Sequence, residues 1–242
     1  MNLSQKQLKL ITSLGQKKYR NLHKLFIVEG KKVVEEFLNS DFELYELYCV
    51  DPSDYLSLDS VVHIAESDLH KISTFKSPNN VLAIFKIPQN PSLKKSGFIL
   101  ALDAINDPGN LGTIVRLCDW FGVDQLVCSS DTVDCYNSKV VQSSMGSLTR
   151  VSIVYTDLEN YLKNSKSIKY AALMDGENVY KAKLNTDAVL VLGNEANGIR
   201  PGINALMDRL ITIPGFGENH QTESLNVSTA SAILLSEFRR RI

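Results

Sequence analysis

Long apolar runs are missing from this chain of 242 residues. No eighteen consecutive apolar residues occur, so no membrane-spanning helix and no membrane partner are expected. The first ten residues, MNLSQKQLKL, lack the apolar centre of a secretory signal. Cysteine is scarce: Cys49, Cys118, Cys128 and Cys135 show no CxxC spacing, which points to reduced thiols and a cytoplasmic protein. His63 and His70 stand apart and no Cys/His quartet forms, so no metal site is expected. Net charge is almost absent, at −1. What is present fits a soluble globular chain, with 44% hydrophobic and 22% charged residues. Its length allows two small domains or one large one.

The small net charge hides an asymmetry. Residues 1–32 carry Lys6, Lys9, Lys17, Lys18, Arg20, Lys24, Lys31 and Lys32 against one acid, Glu29. The rest of the chain is correspondingly acidic. Basic runs are commonly solvated helix faces, but concentration at one end also fits a polyanion partner.

Periodicity predicts a small α/β unit first. Residues 3–14 and KKVVEEFLNS (31–40) read as helices. LFIVEG (25–30), ELYELYCV (43–50), SVVHIA (60–65) and VLAIFKIP (81–88) read as strands. The stretch QNPSLKKSG (89–97) has Pro, Ser, Gly and Lys without periodicity and reads as a boundary. The expected organisation is a first domain over 1–90, a linker over 91–97 and a second domain over 98–242. That second part alternates strand and helix: strands at 98–105, 124–130, 150–155, 169–174, 188–195 and 209–214, helices at 110–122, 138–148, 157–165 and 202–207. A closing helix has apolar steps at Val227, Ala230, Leu234 and Phe238. Such alternation argues for a mostly parallel sheet covered on both faces.

Three polar, glycine-containing loops follow strands, where parallel sheets place their chemistry. In INDPGNLGTIVR (105–116), Asp107-Pro108-Gly109 makes a turn and Asn110 can cap the next helix, with Arg116 inside it. In LGNEANGIRPG (192–202), Glu195 at the mouth of an apolar strand either acts on a ligand or caps a turn. Gly193 and Gly198 have P-loop spacing, but Ile199 and Arg200 replace the required Lys and Ser/Thr. In IPGFGENHQTESLNVS (213–228), Gly215-x-Gly217 lacks the third glycine of a dinucleotide loop, and Ser224 and Asn226 can satisfy orphan amides of the closing helix.

Taken in order, Asn110-x-Gly112-x3-Arg116, Leu192-Gly193-Asn194-Glu195-x-x-Gly198 and Ile213-Pro214 leading to Glu223-Ser224-Leu225-Asn226-Val227-Ser228 resemble the three motifs of the SpoU (TrmH-type) branch of SPOUT RNA methyltransferases. LFIVEG and SPNNVLAIF resemble the small ribosomal-protein-like domain often attached to that family. The resemblance implies a trefoil knot in the C-terminal region and a homodimer formed through it. In such a knot, small residues such as Ser228, Ala230 and Ala232 would let backbones pass closely. It implies S-adenosylmethionine as cofactor, held near Leu192, Gly193, Ile213, Ser224 and Leu225. It implies methyl transfer to a ribose 2′-hydroxyl of RNA, with ribosomal RNA placed ahead of transfer RNA. Arg116 would assist the hydroxyl, Glu195 and Asn110 would orient it and the substrate, and Ser224 and Asn226 would shape the site. No metal is implied, because the methyl donor already carries the positive charge. The basic N-terminal region would meet phosphates, and Tyr19 would stack on a base, whereas Phe26 lies in an apolar run and reads as core. A catalytically silent RNA-binding protein of the same fold and a base methyltransferase of the other knotted branch are the competing readings. The bulky loop 215–222 departs from the pattern.

Overall fold

The structure is a computed structural model that describes residues 3–217 and 224–240. Glu223 and most of the loop 215–222 lie outside the described residues. In chain order the first part forms α1 (Gln5–Ser13), α2 (Lys17–His23), β1 (Leu25–Glu29), α3 (Lys31–Leu38), β2 (Leu44–Cys49), β3 (Val61–His63), α4 (Glu66–Ile72) and β4 (Val81–Lys86). The second part forms β5 (Phe98–Leu102), α5 (Pro108–Trp120), β6 (Gln125–Ser129), α6 (Ser138–Ser144), β7 (Ile153–Thr156), α7 (Leu158–Asn164), β8 (Ile168–Asn178), β9 (Ala188–Leu192), α8 (Pro201–Asn204), β10 (Arg209–Thr212) and α9 (Val227–Arg239). Packing divides the chain into two compact units: residues 1–89 with 134–149, and residues 90–133 with 150–242.

In the first unit the sheet order is β1-β4-β2-β3. β4 pairs antiparallel with both β1 and β2, and β3 adds parallel to β2. One face carries Ile11, Leu14, Ile27, Tyr48, Leu69 and Leu82. On the other, Phe26 meets Phe37 at 5.6 Å and Tyr136 at 4.7 Å between ring centroids, so Phe26 is core. Tyr136 belongs to the segment 134–149, which also supplies α6 with buried Val140 and Val141. A single unit over 98–242 was expected; this segment instead groups with the first unit because its apolar face packs there. α2 and α4 were not anticipated. α2 has no apolar stripe, and its one buried side chain is Arg20, 3% exposed. Arg20 pairs with Asp134 at 2.7 Å and donates to the carbonyls of Leu14 and Gly15 at 2.8 and 3.0 Å. It is an internal strut rather than part of a phosphate-facing surface.

In the second unit the six strands run parallel in the order β10-β8-β9-β5-β6-β7. FILAL and AVLVL, neighbours at the centre, are buried at every position, as strands covered on both faces must be. α7 and α8 cover one face through Leu158, Leu162 and Ile203 against Ile99, Val189 and Val191. α9 covers the other, stacking Phe238 on Phe98 at 4.8 Å and against Tyr170 at 5.2 Å, and it packs on α5. β8 outruns the expected 169–174. Its register against β10 shifts between Leu210, opposite Ala171, and Ile211, opposite Glu177, while β8 itself stays continuous. The expected helix 138–148 ends at Ser144, where Met145 turns left-handed at φ 50° and Gly146 follows at φ 90°.

Candidate active site

Helix α5 starts where the sequence offers a cap, but the cap is Asp107. Its carboxylate accepts the Asn110 amide at 2.8 Å, and Pro108 occupies the first turn, where no N–H is needed. Asn110 therefore lies inside the helix with its side chain free for other work. That side chain donates through Nδ2 to Glu195 Oε1 and accepts through Oδ1 from Asn226 Nδ2 at 3.0 Å. Asn226 is the cap of α9: its Oδ1 accepts from the Ser228 amide at 2.9 Å, the Ser228 hydroxyl at 2.6 Å and the Thr229 amide at 3.4 Å. One chain of hydrogen bonds thus joins the loops after β5 and β9 to the start of α9. Three residues selected from separate motifs meet in space.

Arg116 and Ser224 stand outside that chain. Arg116 lies six residues beyond Asn110, about 9 Å along the helix axis. No hydrogen bond joins it to Glu195 or Asn110, which turn to each other instead. Its guanidinium is exposed. Every other arginine among the described residues is engaged by a carboxylate or a carbonyl, as with Arg150 on Asp119 and Arg209 on Lys183, whereas Arg116 has no partner among the described residues. Ser224 is exposed and makes no hydrogen bond among the described residues, leaving the capping of α9 to Asn226.

The loop after β9 is held in shape by its own backbone. Asn194 and Gly198 exchange hydrogen bonds at 3.0 and 2.8 Å, and the Asn194 side chain accepts the amides of Ala196 at 2.9 Å and Asn197 at 3.2 Å. A Cβ on Gly193 would overlap the backbone of Gly198 and Ile199, so glycine is required there. Asn194 Nδ2 also donates to the Ala104 carbonyl at 2.7 Å, and Ser129 Oγ accepts the Ala104 amide at 2.9 Å. Ala104 is thereby held left-handed at φ 59°, a conformation alanine adopts only when its surroundings enforce it.

Two residues in this lock escaped sequence reasoning. Asp103, fully buried, accepts from the Arg200 amide at 2.8 Å and from Arg200 Nε at 2.6 Å, with Nη2 at 2.5 Å. Arg200 reaches on to Asp131 at 3.4 Å. The Asp103 hydrogen bond holds the Arg200 guanidinium above its ordinary range. A hydrogen bond from Ser129 holds the Asp131 carboxyl below the usual carboxylate range. The signal was available: Asp103 follows FILAL as Glu195 nearly follows AVLVL, a carboxylate at the mouth of each central strand.

Of the cofactor-site residues of the sequence reading, Leu192 ends β9 and Gly193 follows it, Ile213 follows β10, and Ser224 and Leu225 precede α9. Leu192 is buried and its carbonyl accepts the Asp103 amide at 2.9 Å. The backbone N–H groups of Gly193, Ile213 and Leu225 find no hydrogen-bond partner among the described residues. Gly193 and Ile213 are half-buried and Leu225 is exposed, so donors of this kind are available to a small ligand. Unpaired backbone donors beside interlocked polar loops past the ends of parallel strands are where open α/β sheets place their ligand sites.

Comparison with known proteins narrows the class. The family model described as the SpoU rRNA methylase family matches residues 97–236, and one described as an MRM3-like substrate binding domain matches residues 5–83. This chain belongs to the SpoU rRNA methylase family. It is 30% identical to the 23S rRNA (guanosine(2553)-2′-O)-methyltransferase RlmP of Bacillus subtilis, over 93% of each chain. A solved TrmH-family structure from Porphyromonas gingivalis superposes with a TM-score of 0.92 at 38% identity over the whole of both chains. An AdoMet-bound rRNA methyltransferase from Sinorhizobium meliloti superposes at 0.88 with 26% identity, over 100% of this chain and 97% of that one.

Proposed function

We propose that this protein transfers a methyl group from S-adenosylmethionine to a ribose 2′-hydroxyl of RNA, with ribosomal RNA ahead of transfer RNA. The observation that carries the reading is the Glu195–Asn110–Asn226 chain of hydrogen bonds, which gathers all three sequence motifs and leaves the Arg116 guanidinium on the same helix without a partner among the described residues. The name of the B. subtilis relative, a guanosine 2′-O-methyltransferase of 23S rRNA, supports ribosomal RNA as the substrate.

The unpaired amides of Gly193, Ile213 and Leu225, with Leu192 and Ser224 beside them, suit the polar edges of the cofactor's adenosine portion. When bound, S-adenosylmethionine supplies an electrophilic methyl group whose C–S bond breaks as the O–C bond forms, and the hydroxyl proton is released to water. Arg116 is not the base, since a guanidinium stays protonated near neutrality. It acts as a fixed cation that stabilises the developing alkoxide or grips the adjoining phosphate. Glu195 and Asn110 hold the loops around the acceptor ribose, and Asn226 ties α9 to them. Positioning of this kind can supply much of the acceleration.

The finer features rest on the same reading. The unit containing α5 and α9 carries the trefoil knot, with α9 threaded against α5. It pairs with a second copy, supported by Trp120 on α5, 84% exposed. Residues 1–90 meet the RNA through exposed Lys6, Lys9, Lys17, Lys18, Lys24 and Lys32. Four buried cysteines, none closed into a disulfide, support a cytoplasmic setting. The test is calorimetric binding of S-adenosylmethionine set beside methyl transfer. Arg116→Ala is expected to bind the cofactor as the parent does and to lose transfer at least a hundredfold. Equal transfer by both would remove Arg116 from the mechanism.

A further inference from the structure

A groove of about 490 Å³ opens in the first unit, between the start of α3, the loop before β4 and the end of α6. That volume lies within the range of sites that take small ligands, about 300–1,000 Å³, and suits one nucleotide. Its walls are built for an anion and a flat ring together.

Lys31 and Lys32 form the first turn of α3, with no acidic residue there and with Gly30 as a cap that offers no side-chain acceptor. Cations at a helix N-terminus face the positive end of the macrodipole, a disfavoured placement that a bound anion would offset. Lys31 leans on exposed Asp54 at 2.6 Å, whereas Lys32 has no partner among the described residues. Phe75 and Met145 supply apolar surface on opposite elements. Asn79 and Gln142 add exposed amide side chains without hydrogen bonds among the described residues, each able to donate and accept.

The groove is also held ready. Buried Glu29 accepts from the Ser73 hydroxyl at 2.5 Å and from the Thr74 amide and hydroxyl at 2.9 and 2.6 Å, which fixes the loop carrying Phe75. Among the described residues four non-glycine positions are left-handed: Lys24, Asn80, Ala104 and Met145. Asn80 and Met145 both line this groove, and Ala104 lies in the candidate active site. Left-handed backbone at non-glycine positions gathers where ligands are held. Methionine is a poor choice for the left-handed cap of α6, where glycine is usual, unless its side chain is wanted.

We propose that this groove takes one unpaired nucleotide of the RNA substrate, with its phosphate at Lys32 and the start of α3 and its base between Phe75 and Met145, read by Asn79 and Gln142. The inference rests on the RNA-methyltransferase reading and extends it: substrate choice is made partly here, by a base splayed from its stack. Two of the groove residues, Gln142 and Met145, come from the segment 134–149 that packs with the first unit.

The test uses the full chain and ribosomal RNA purified from cells lacking this activity. Lys32→Gln, Gln142→Ala and Met145→Gly, the last keeping the left-handed backbone, are compared in filter binding across a salt series and in methyl transfer. Support would be RNA affinity and 1/KM weakened about tenfold, kcat held within twofold, and a salt slope lowered by roughly 0.7 for Lys32→Gln. Ultraviolet cross-linking of the parent protein should attach a nucleotide to the peptides carrying Phe75 or Met145. Parent-like affinity and KM in all three variants, with methyl transfer intact, would overturn the groove and leave the enzyme reading standing. Weakened binding in the variants without any methyl transfer by the parent would uphold the groove and sink the enzyme reading.

Discussion

Removing either half of the Asp103–Arg200 pair should destabilise the protein unequally. Asp103 is fully buried, whereas the Arg200 side chain is half exposed. Arg200→Ala strands a buried carboxylate whose guanidinium partner has gone, although the Arg200 backbone amide remains to it. Breaking a buried pair in that way costs about 3–5 kcal/mol. Asp103→Ala leaves a cation that can turn to water and one amide without its acceptor, a loss of about 2 kcal/mol. At roughly 2–4 °C per kcal/mol for a chain of this size, the melting temperature should fall about 4–8 °C for Asp103→Ala and clearly further for Arg200→Ala. Thermal unfolding followed by circular dichroism would give both shifts, urea unfolding the free energies, and the double variant would close the cycle. The reasoning expects the double variant to be less damaged than Arg200→Ala alone, because no buried charge is then left behind. Equal losses in the two single variants, or strictly additive losses in the double, would refute the claim that burial of Asp103 sets the energetics.

Three further outcomes follow from the same geometry. Asn226→Asp keeps the acceptor that caps α9 but loses the Nδ2 donor to Asn110, so it should fold within about 0.5 kcal/mol of the parent and lose methyl transfer, whereas Asn226→Ala should also lose about 1 kcal/mol in unfolding experiments. Burial pushes the thiols of Cys118 and Cys49 up, so both should resist alkylation at pH 8 in the folded protein and react once urea unfolds it; rapid labelling of the native state would contradict their burial. Ser129 holds Asp131 low, and Lys71 with the Leu3 amide holds Asp68 low. Their contributions are present above the ordinary carboxylate range and are lost as pH falls through the depressed folded values, so thermal stability should hold from pH 7 to about 5 and fall below about 4.

Much of this architecture was readable before any coordinates. Strands such as FILAL and AVLVL announce themselves because both faces are covered, and α9 because Val227, Leu234 and Phe238 keep helical spacing. α2 was hidden because the group it buries is an arginine neutralised by Asp134, 114 residues away, a contact no local pattern records. The excursion of 134–149 into the first unit was hidden for a similar reason: Val140 and Val141 show that α6 has an apolar face but not which sheet receives it. In the candidate site, the motif residues Asn110, Glu195 and Asn226 are each ambiguous alone, and what no single motif shows is that their side chains hydrogen-bond to one another. Asp103 escaped notice as the lone polar residue in the expected strand 98–105, FILALDAI. Asn110 was credited with a capping role that Asp107, placed before a proline, performs instead.

The most direct test of the central claim is the product itself. Ribosomal RNA from cells lacking the activity would be incubated with the protein and methyl-labelled S-adenosylmethionine, then hydrolysed in alkali. The account predicts label confined to one alkali-resistant dinucleotide, absent when Arg116→Ala replaces the parent. Label recovered in a mononucleotide with a methylated base, or an alkali-resistant dinucleotide formed equally well by Arg116→Ala, would contradict it.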